Sequence, residues 1–112
     1  MSAGYRRGDI VRMNLLPHHE VAATSQLALV LIPNSPRNQS LSVVVPIIHG
    51  EDIARHAGFS VRLDGTETST QGYVIANKYR NVSLTTRRAK VVEEAPVWVI
   101  DDVMARLQAM YK

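Results

Sequence analysis

Gly58-Phe59-Ser60-Val61-Arg62-Leu63-Asp64-Gly65 alternates apolar and polar residues and ends in Asp-Gly, the pattern of a half-buried strand entering a tight turn. A polar, turn-rich stretch follows. After it come Gly72-Tyr73-Val74-Ile75-Ala76-Asn77-Lys78-Tyr79-Arg80-Asn81-Val82-Ser83-Leu84 and then Arg87-Arg88. This second string reads as two short strands, Tyr73 to Ala76 and Asn81 to Leu84. Asn77, Lys78, Arg80 and Ser83 stand at or just beyond a strand end, a cationic, hydrogen-bonding cluster with no bulk to hide it.

The rest of the chain extends the same pattern. Ile10 to Met13 reads as a first strand. Leu27 to Ile32 is a continuous apolar run, as expected of a strand buried on both faces, and Pro33 ends it. Asn34 to Asn38 is a loop. Leu41 to Ile48 is a third strand, with Pro46 placed late, where a ladder donor can be spared. Glu51 to His56 has the composition of one short helical turn, and Val91-Val92 that of a short edge strand. The period then changes. Ile100, Val103, Met104, Leu107, Met110 and Tyr111 recur at helical spacing and form one apolar stripe. Pro96 suits the first turn of that helix, and Glu93, Glu94, Asp101 and Asp102 near its start favour the helix dipole. Several short strands followed by one helix predict a mainly β fold, a small barrel with a C-terminal α-helix. Pro17 to Ser25 and Thr66 to Gln71 are the least structured stretches. The first is long for a hairpin connection, which suits a mobile functional loop.

A chain of 112 residues builds one core, so residues 1–112 are expected to form a single domain. No apolar run is long enough to span a bilayer, and Met1 to Gly8 carries no apolar signal segment, so a cytoplasmic location is expected. The absence of Cys excludes disulfides, thiolate metal sites and cysteine catalysis together. Charge is unevenly spread. Residues 1–92 hold 11 Lys and Arg against 6 Asp and Glu, whereas residues 93–112 hold 2 against 4. Surplus positive charge on the strand-rich portion suits a polyanion or an acidic peptide. The alternative is a surface tuned for solubility.

With the opening Arg7-Gly8-Asp9-Ile10-Val11, the two strings quoted first resemble the PemK/MazF/ChpB-like toxins of bacterial toxin–antitoxin pairs, over about residues 5 to 111. The resemblance implies a CcdB/PemK-like barrel related to the SH3 fold. It implies metal-independent endoribonuclease activity on single-stranded RNA, with no cofactor and no metal site. It also implies a homodimer, and an antitoxin partner with an acidic, disordered tail. Such cleavage needs a base for the ribose 2′-hydroxyl, an acid for the leaving 5′-oxygen, and charge to stabilise the phosphorane. Candidate acid–base groups are His18, His19, His49, His56, Asp9 and Glu20. Candidate cations are Arg37, Lys78, Arg80, Arg87 and Arg88.

His19-Glu20 matches a His-Glu pair that often sits in the family's first long loop, close to RNA, which makes His19 the candidate acid or base. A solvated loop histidine is the plain alternative. Adjacent His-His-Glu ligands on one loop do not define a metal site. His49 and His56 flank the turn after the third strand and read as structural or solvent-facing, with His49 a secondary candidate. Asn77 and Arg80 match the family segment of a strand followed by Asp or Asn, two residues, then Arg. Arg80 either pairs with a phosphate or braces the sheet. Arg87-Arg88 match the downstream basic residue, and Arg37 and Lys78 join them as candidate RNA contacts.

Two positions depart from the family. Gln26-Leu27 stand where the second strand usually opens with Arg-Pro, and Pro46-Ile47-Ile48 where the third usually ends Pro-x-Thr. A Gln cannot imitate the planar, permanently charged guanidinium. Loss of a transition-state charge stabiliser typically lowers the rate by about 100- to 1000-fold. The reading is therefore a toxin-family barrel with a substituted, weakened site, in which Gln26 and Asn77 are polar positioning groups. The second reading is a catalytically silent module of the same fold that binds antitoxin, RNA or a DNA-processing enzyme, as the related CcdB toxins bind gyrase. A structural SH3-like adaptor lacks the aromatic groove for proline-rich ligands, with one Phe, one Trp and four Tyr in the chain.

Overall fold

The computed structural model describes residues 4–14, 25–34, 40–49, 58–63 and 67–110. These form strands β1 (Asp9–Asn14), β2 (Ser25–Ile32), β3 (Ser42–Ile48), β4 (Ser60–Arg62), β5 (Tyr73–Ile75), β6 (Arg80–Val82) and β7 (Lys90–Glu94), then helix α1 (Val97–Ala109). The expected mainly β fold with a terminal helix is present, and the differences lie at the element ends. Ala76 belongs to a single 3-10 turn, Ala76–Lys78, rather than to β5. Leu84 lies in the turn after β6, and the edge strand at Val91-Val92 runs the full five residues of β7. The helical turn expected over Glu51 to His56 lies outside the described residues.

The strands form one antiparallel sheet in the order β4-β5-β3-β2-β1-β7, with β6 also pairing β3. Its middle strands bury both faces. Ala28 and Val30 of β2 pack with Val11, Met13, Val44, Val82 and Leu84 on one side. Leu29 and Leu31 pack with Ile10, Val45, Ile47, Val61, Leu63, Val74 and the helix residues Val99 and Val103 on the other. The unbroken apolar run of β2 has this two-sided burial as its cause, because successive strand side chains point to opposite faces. The helix docks through Val99, Ile100 and Val103, with Met104 and Leu107 partly covered. Val99 thus joins the apolar stripe, while Met110 remains 39% exposed. Gly8 admits this close docking: a Cβ there would stand 2.6 Å from Ile100 Cδ1.

The curled sheet is drawn together at its far ends by side chains. Glu93 of β7 accepts the Ser69 N–H at 2.9 Å and the Thr70 N–H at 2.6 Å, and takes the Thr70 hydroxyl as well. The Thr68 hydroxyl donates to the Thr70 carbonyl at 2.8 Å inside the same turn. One expectation changes. Residues 67–71 form no strand or helix, as expected, and are anchored by buried Thr68 and Thr70; Glu93 and Glu94, by contrast, belong to β7, leaving no acidic residue in the first turn of the helix. The Glu93 carboxyl titrates below its ordinary range, chiefly because the Thr70 hydroxyl bonds its charged form. No helix among the described residues is long and apolar enough to cross a membrane.

Candidate functional site

Strand β3 changes partner along one edge. Ser42, Val43 and Val44 pair with β6, whereas Ile47 and Ile48 pair with β5. Pro46, which has no N–H to donate, falls at the changeover. The chain between β5 and β6 cannot continue either ladder there and closes into the Ala76–Lys78 turn. Gly72 lets β5 begin hard against β3: its φ is +113°, and a Cβ would lie 2.5 Å from the Ile48 carbonyl oxygen.

The changeover opens a cleft of about 410 Å³. Met13, Val44, Pro46 and Ile75 form its apolar part, and Gln26, Ile48, Asn77, Lys78, Tyr79 and Arg80 complete the lining. Gln26 reaches it from β2, where it pairs with Met13. Four of the residues singled out in the sequence, Gln26, Asn77, Lys78 and Arg80, therefore share one wall-to-wall space, and Ile48 presents its apolar side chain to the same space. Asn77 Oδ1 is buried and has no hydrogen-bond partner among the described residues. An orphaned buried acceptor is destabilising by about 1–3 kcal/mol, so a ligand donor is its natural complement.

Arg87 approaches from the turn after β6. Its guanidinium donates to the Asn14 carbonyl at 3.3 Å, and its own carbonyl accepts from the Asn14 N–H at 2.9 Å. Burial lowers its pKa, and the neighbouring charge of Arg80 lowers it further. Cations that feel each other's charge favour an anion such as a phosphate in their neighbourhood. Among the described residues no carboxylate pairs with Arg80 or Lys78. Arg88, exposed with φ at 54°, turns the chain toward β7 and does not line the cleft.

Several candidates stand elsewhere. Asp9 is buried at the start of β1 and accepts the Arg6 N–H at 2.8 Å, which closes a turn. His49 is exposed and borders a separate hollow with Arg12 and Glu93. His18, His19, Glu20, Arg37 and His56 lie outside the described residues. Tyr79 is the lining residue that sequence reasoning passes over, although an aromatic between Lys78 and Arg80 is a signal for nucleic-acid contact.

A family model described as PemK-like, MazF-like toxin of type II toxin–antitoxin system matches residues 6–111. The endoribonuclease toxin ChpB of Escherichia coli K12 is 36% identical over 108 residues, 95% of this chain and 93% of its own. Endoribonuclease PemK of Escherichia coli is 34% identical over 106 residues, 93% of this chain and 80% of its own. The solved MazF of Deinococcus radiodurans matches at a TM-score of 0.77 and 25% identity, over 98% of each chain. A crystal structure of MazE–MazF from the same organism matches in fold at a TM-score of 0.73 and 24% identity, over 98% of this chain and 97% of that one.

Proposed function

The chain belongs to the PemK-like, MazF-like family of type II toxin–antitoxin toxins, and on that premise we propose that it is a weak, metal-independent endoribonuclease of single-stranded RNA. The observation that carries this is the convergence of Gln26, Asn77, Lys78 and Arg80 on one cleft. Arg80, backed by Arg87 and Lys78, holds the scissile phosphate. Asn77 Oδ1 accepts a hydrogen bond from the ribose 2′-hydroxyl and orients it toward phosphorus. As the 2′-oxygen bonds to phosphorus, the bond to the 5′-oxygen breaks, which leaves a cyclic phosphate and a free 5′-hydroxyl. His19 either takes the proton released by the 2′-hydroxyl or gives one to the leaving 5′-oxygen, with water serving as carrier of the other; Arg37 and Arg88 contact flanking phosphates, and Gln26 orients the phosphate without supplying charge.

Gln26 and Ile48 face the cleft together, and this favours slow chemistry. A neutral amide and a methyl-bearing wall stand where a fixed charge and a small donor stabilise a phosphorane best. The same pair supports the second reading, a cleft that binds RNA without cutting it. Incubation with a long unstructured RNA in the presence of chelator separates the two. Slow cleavage is expected from the wild-type protein. Gln26→Arg with Leu27→Pro and Ile48→Thr is expected to raise it by at least about tenfold, a share of the ~100- to 1000-fold such a stabiliser supplies. Adding His19→Ala removes the gain. A triple variant that melts like the wild type yet cuts nothing transfers the case to the silent module.

The whole chain, residues 1–112, acts as one cytoplasmic domain and pairs with a second copy. An apolar groove of about 310 Å³ between α1 and strands β2 and β3, with Ile32, Val43, Met104 and Leu107 in its walls, supports the homodimer. The basic cleft supports an antitoxin partner with an acidic, disordered tail, folding as it binds. MazE–MazF of Deinococcus radiodurans is a neighbour in fold.

A further inference from the structure

We propose that Tyr79 is a base-stacking residue, whose ring receives the nucleobase beside the phosphate held at Arg80. The proposal rests on the RNA reading of the cleft and adds a second kind of grip to it. Tyr79 lies between the 3-10 turn and β6 and is 41% exposed. It lines both the cleft and the apolar groove alongside it, and so forms the lip between them. Exposed Lys78 and Arg80 stand on either side of it in the chain. An extended residue at the end of the 3-10 turn holds the ring there, with φ −64° and ψ 151°.

A single strand of RNA presents unstacked bases between charged phosphates. Proteins that hold it combine cations along the backbone with an aromatic face for a base. The Lys78-Tyr79-Arg80 sequence meets both needs within three residues at the mouth of one cleft. Stacking tolerates any base, because each has a π-face, so Tyr79 adds affinity and register rather than a sequence code. Trp98 is the natural contrast. It is 50% exposed, yet it lies on the segment 93–112, where Asp and Glu outnumber Lys and Arg by 4 to 2. A polyanion is repelled there, so exposure of an aromatic ring alone does not make a stacking site.

The test uses the full-length protein and a short, mixed-sequence 2′-O-methyl RNA that cannot be cleaved, with 2-aminopurine at successive positions. Binding is read by anisotropy at two salt concentrations, stacking by quenching of 2-aminopurine, and mass by sedimentation. Tyr79→Phe and Tyr79→Trp are expected to keep affinity within about twofold, and Tyr79→Leu to lose about tenfold along with the quenching. The salt slope stays unchanged in Tyr79→Leu, because no charge is removed. Trp98→Leu binds and quenches as the wild type. Wild-type affinity in Tyr79→Leu overturns the proposal. So does a loss accompanied by a change in mass, which makes the ring a contact between copies. A wild-type protein that binds no RNA removes the RNA reading itself and this proposal with it.

Discussion

Two polar clusters at strand ends, both among the described residues, are filled in opposite ways. Where β7 meets the 67–71 segment, the Glu93 carboxylate takes two N–H groups and a hydroxyl, and buried Thr68 bonds back to its own turn. Where β3 passes from β6 to β5, Asn77 Oδ1 is buried without a donor among the described residues, and the charge of Arg80 helps lower the pKa of Arg87. The two clusters look alike in composition, yet one satisfies its own polar atoms and the other leaves a buried acceptor open among the described residues. On our proposal the second cluster is the one that holds RNA.

The largest effect is expected at the open cluster. In the triple-variant background of Gln26→Arg, Leu27→Pro and Ile48→Thr, adding Arg80→Ala should lower the cleavage rate by about 100-fold or more, as removal of a phosphate-stabilising charge does. Single-turnover assays measure it. A rate equal to that of the triple variant would mean that Arg80 braces the sheet instead.

In the unaltered protein, Arg80→Ala should weaken binding of a short single-stranded RNA and reduce the magnitude of its salt slope by about one. Its melting temperature should hold or rise, because the repulsion with Arg87 is relieved. A clear fall in melting temperature with no change in the salt slope would place Arg80 among the structural residues.

At the Glu93 cluster the pattern should invert. Glu93→Ala should destabilise the fold by about 1 kcal/mol, a value discounted for its partial exposure, with RNA affinity unchanged. Chemical denaturation checks the first part and anisotropy the second. An RNA-binding defect in a stably folded Glu93→Ala protein would erase the distinction between the clusters.

The smallest effect concerns pH. The folded Glu93 carboxyl titrates below its unfolded value of about 4.3. Its contribution is therefore fully present above the unfolded value and lost as pH falls through the folded one. The stability difference between wild type and Glu93→Gln should be constant near neutrality and shrink steadily below about pH 4. Equal acid sensitivity of the two proteins would mean that the Ser69 and Thr70 bonds contribute nothing to folding.

Much of this molecule is readable from short stretches of chain. The Leu27 to Ile32 run announces a strand covered on both faces, and β2 is one, with alternate residues in two cores. The shift to helical spacing after Pro96 announces α1. Asn77, Lys78 and Arg80 are legible as a cluster because residues of one turn and its exit cannot be far apart. Glu93 misleads for a related reason. Its nearest feature in sequence is the helix, so a dipole role looks natural, while its partners Ser69 and Thr70 are brought to it only by the curl of the sheet.

Periodicity and turn chemistry act over a few residues, which is why the sequence by itself determined the element types, the mainly β class and the family. What a strand faces is decided by register across the whole sheet, where a slip of one residue would turn every side chain to the other side. Only the tertiary structure could therefore set Gln26 of β2 and Ile48 of β3 in the same cleft as Asn77 and Arg80. Only it could make Pro46 the point where β3 changes partner, and leave the ring of Tyr79 standing at the rim. Those placements depend on how two buried faces pack at once, a condition that no local stretch of the chain contains.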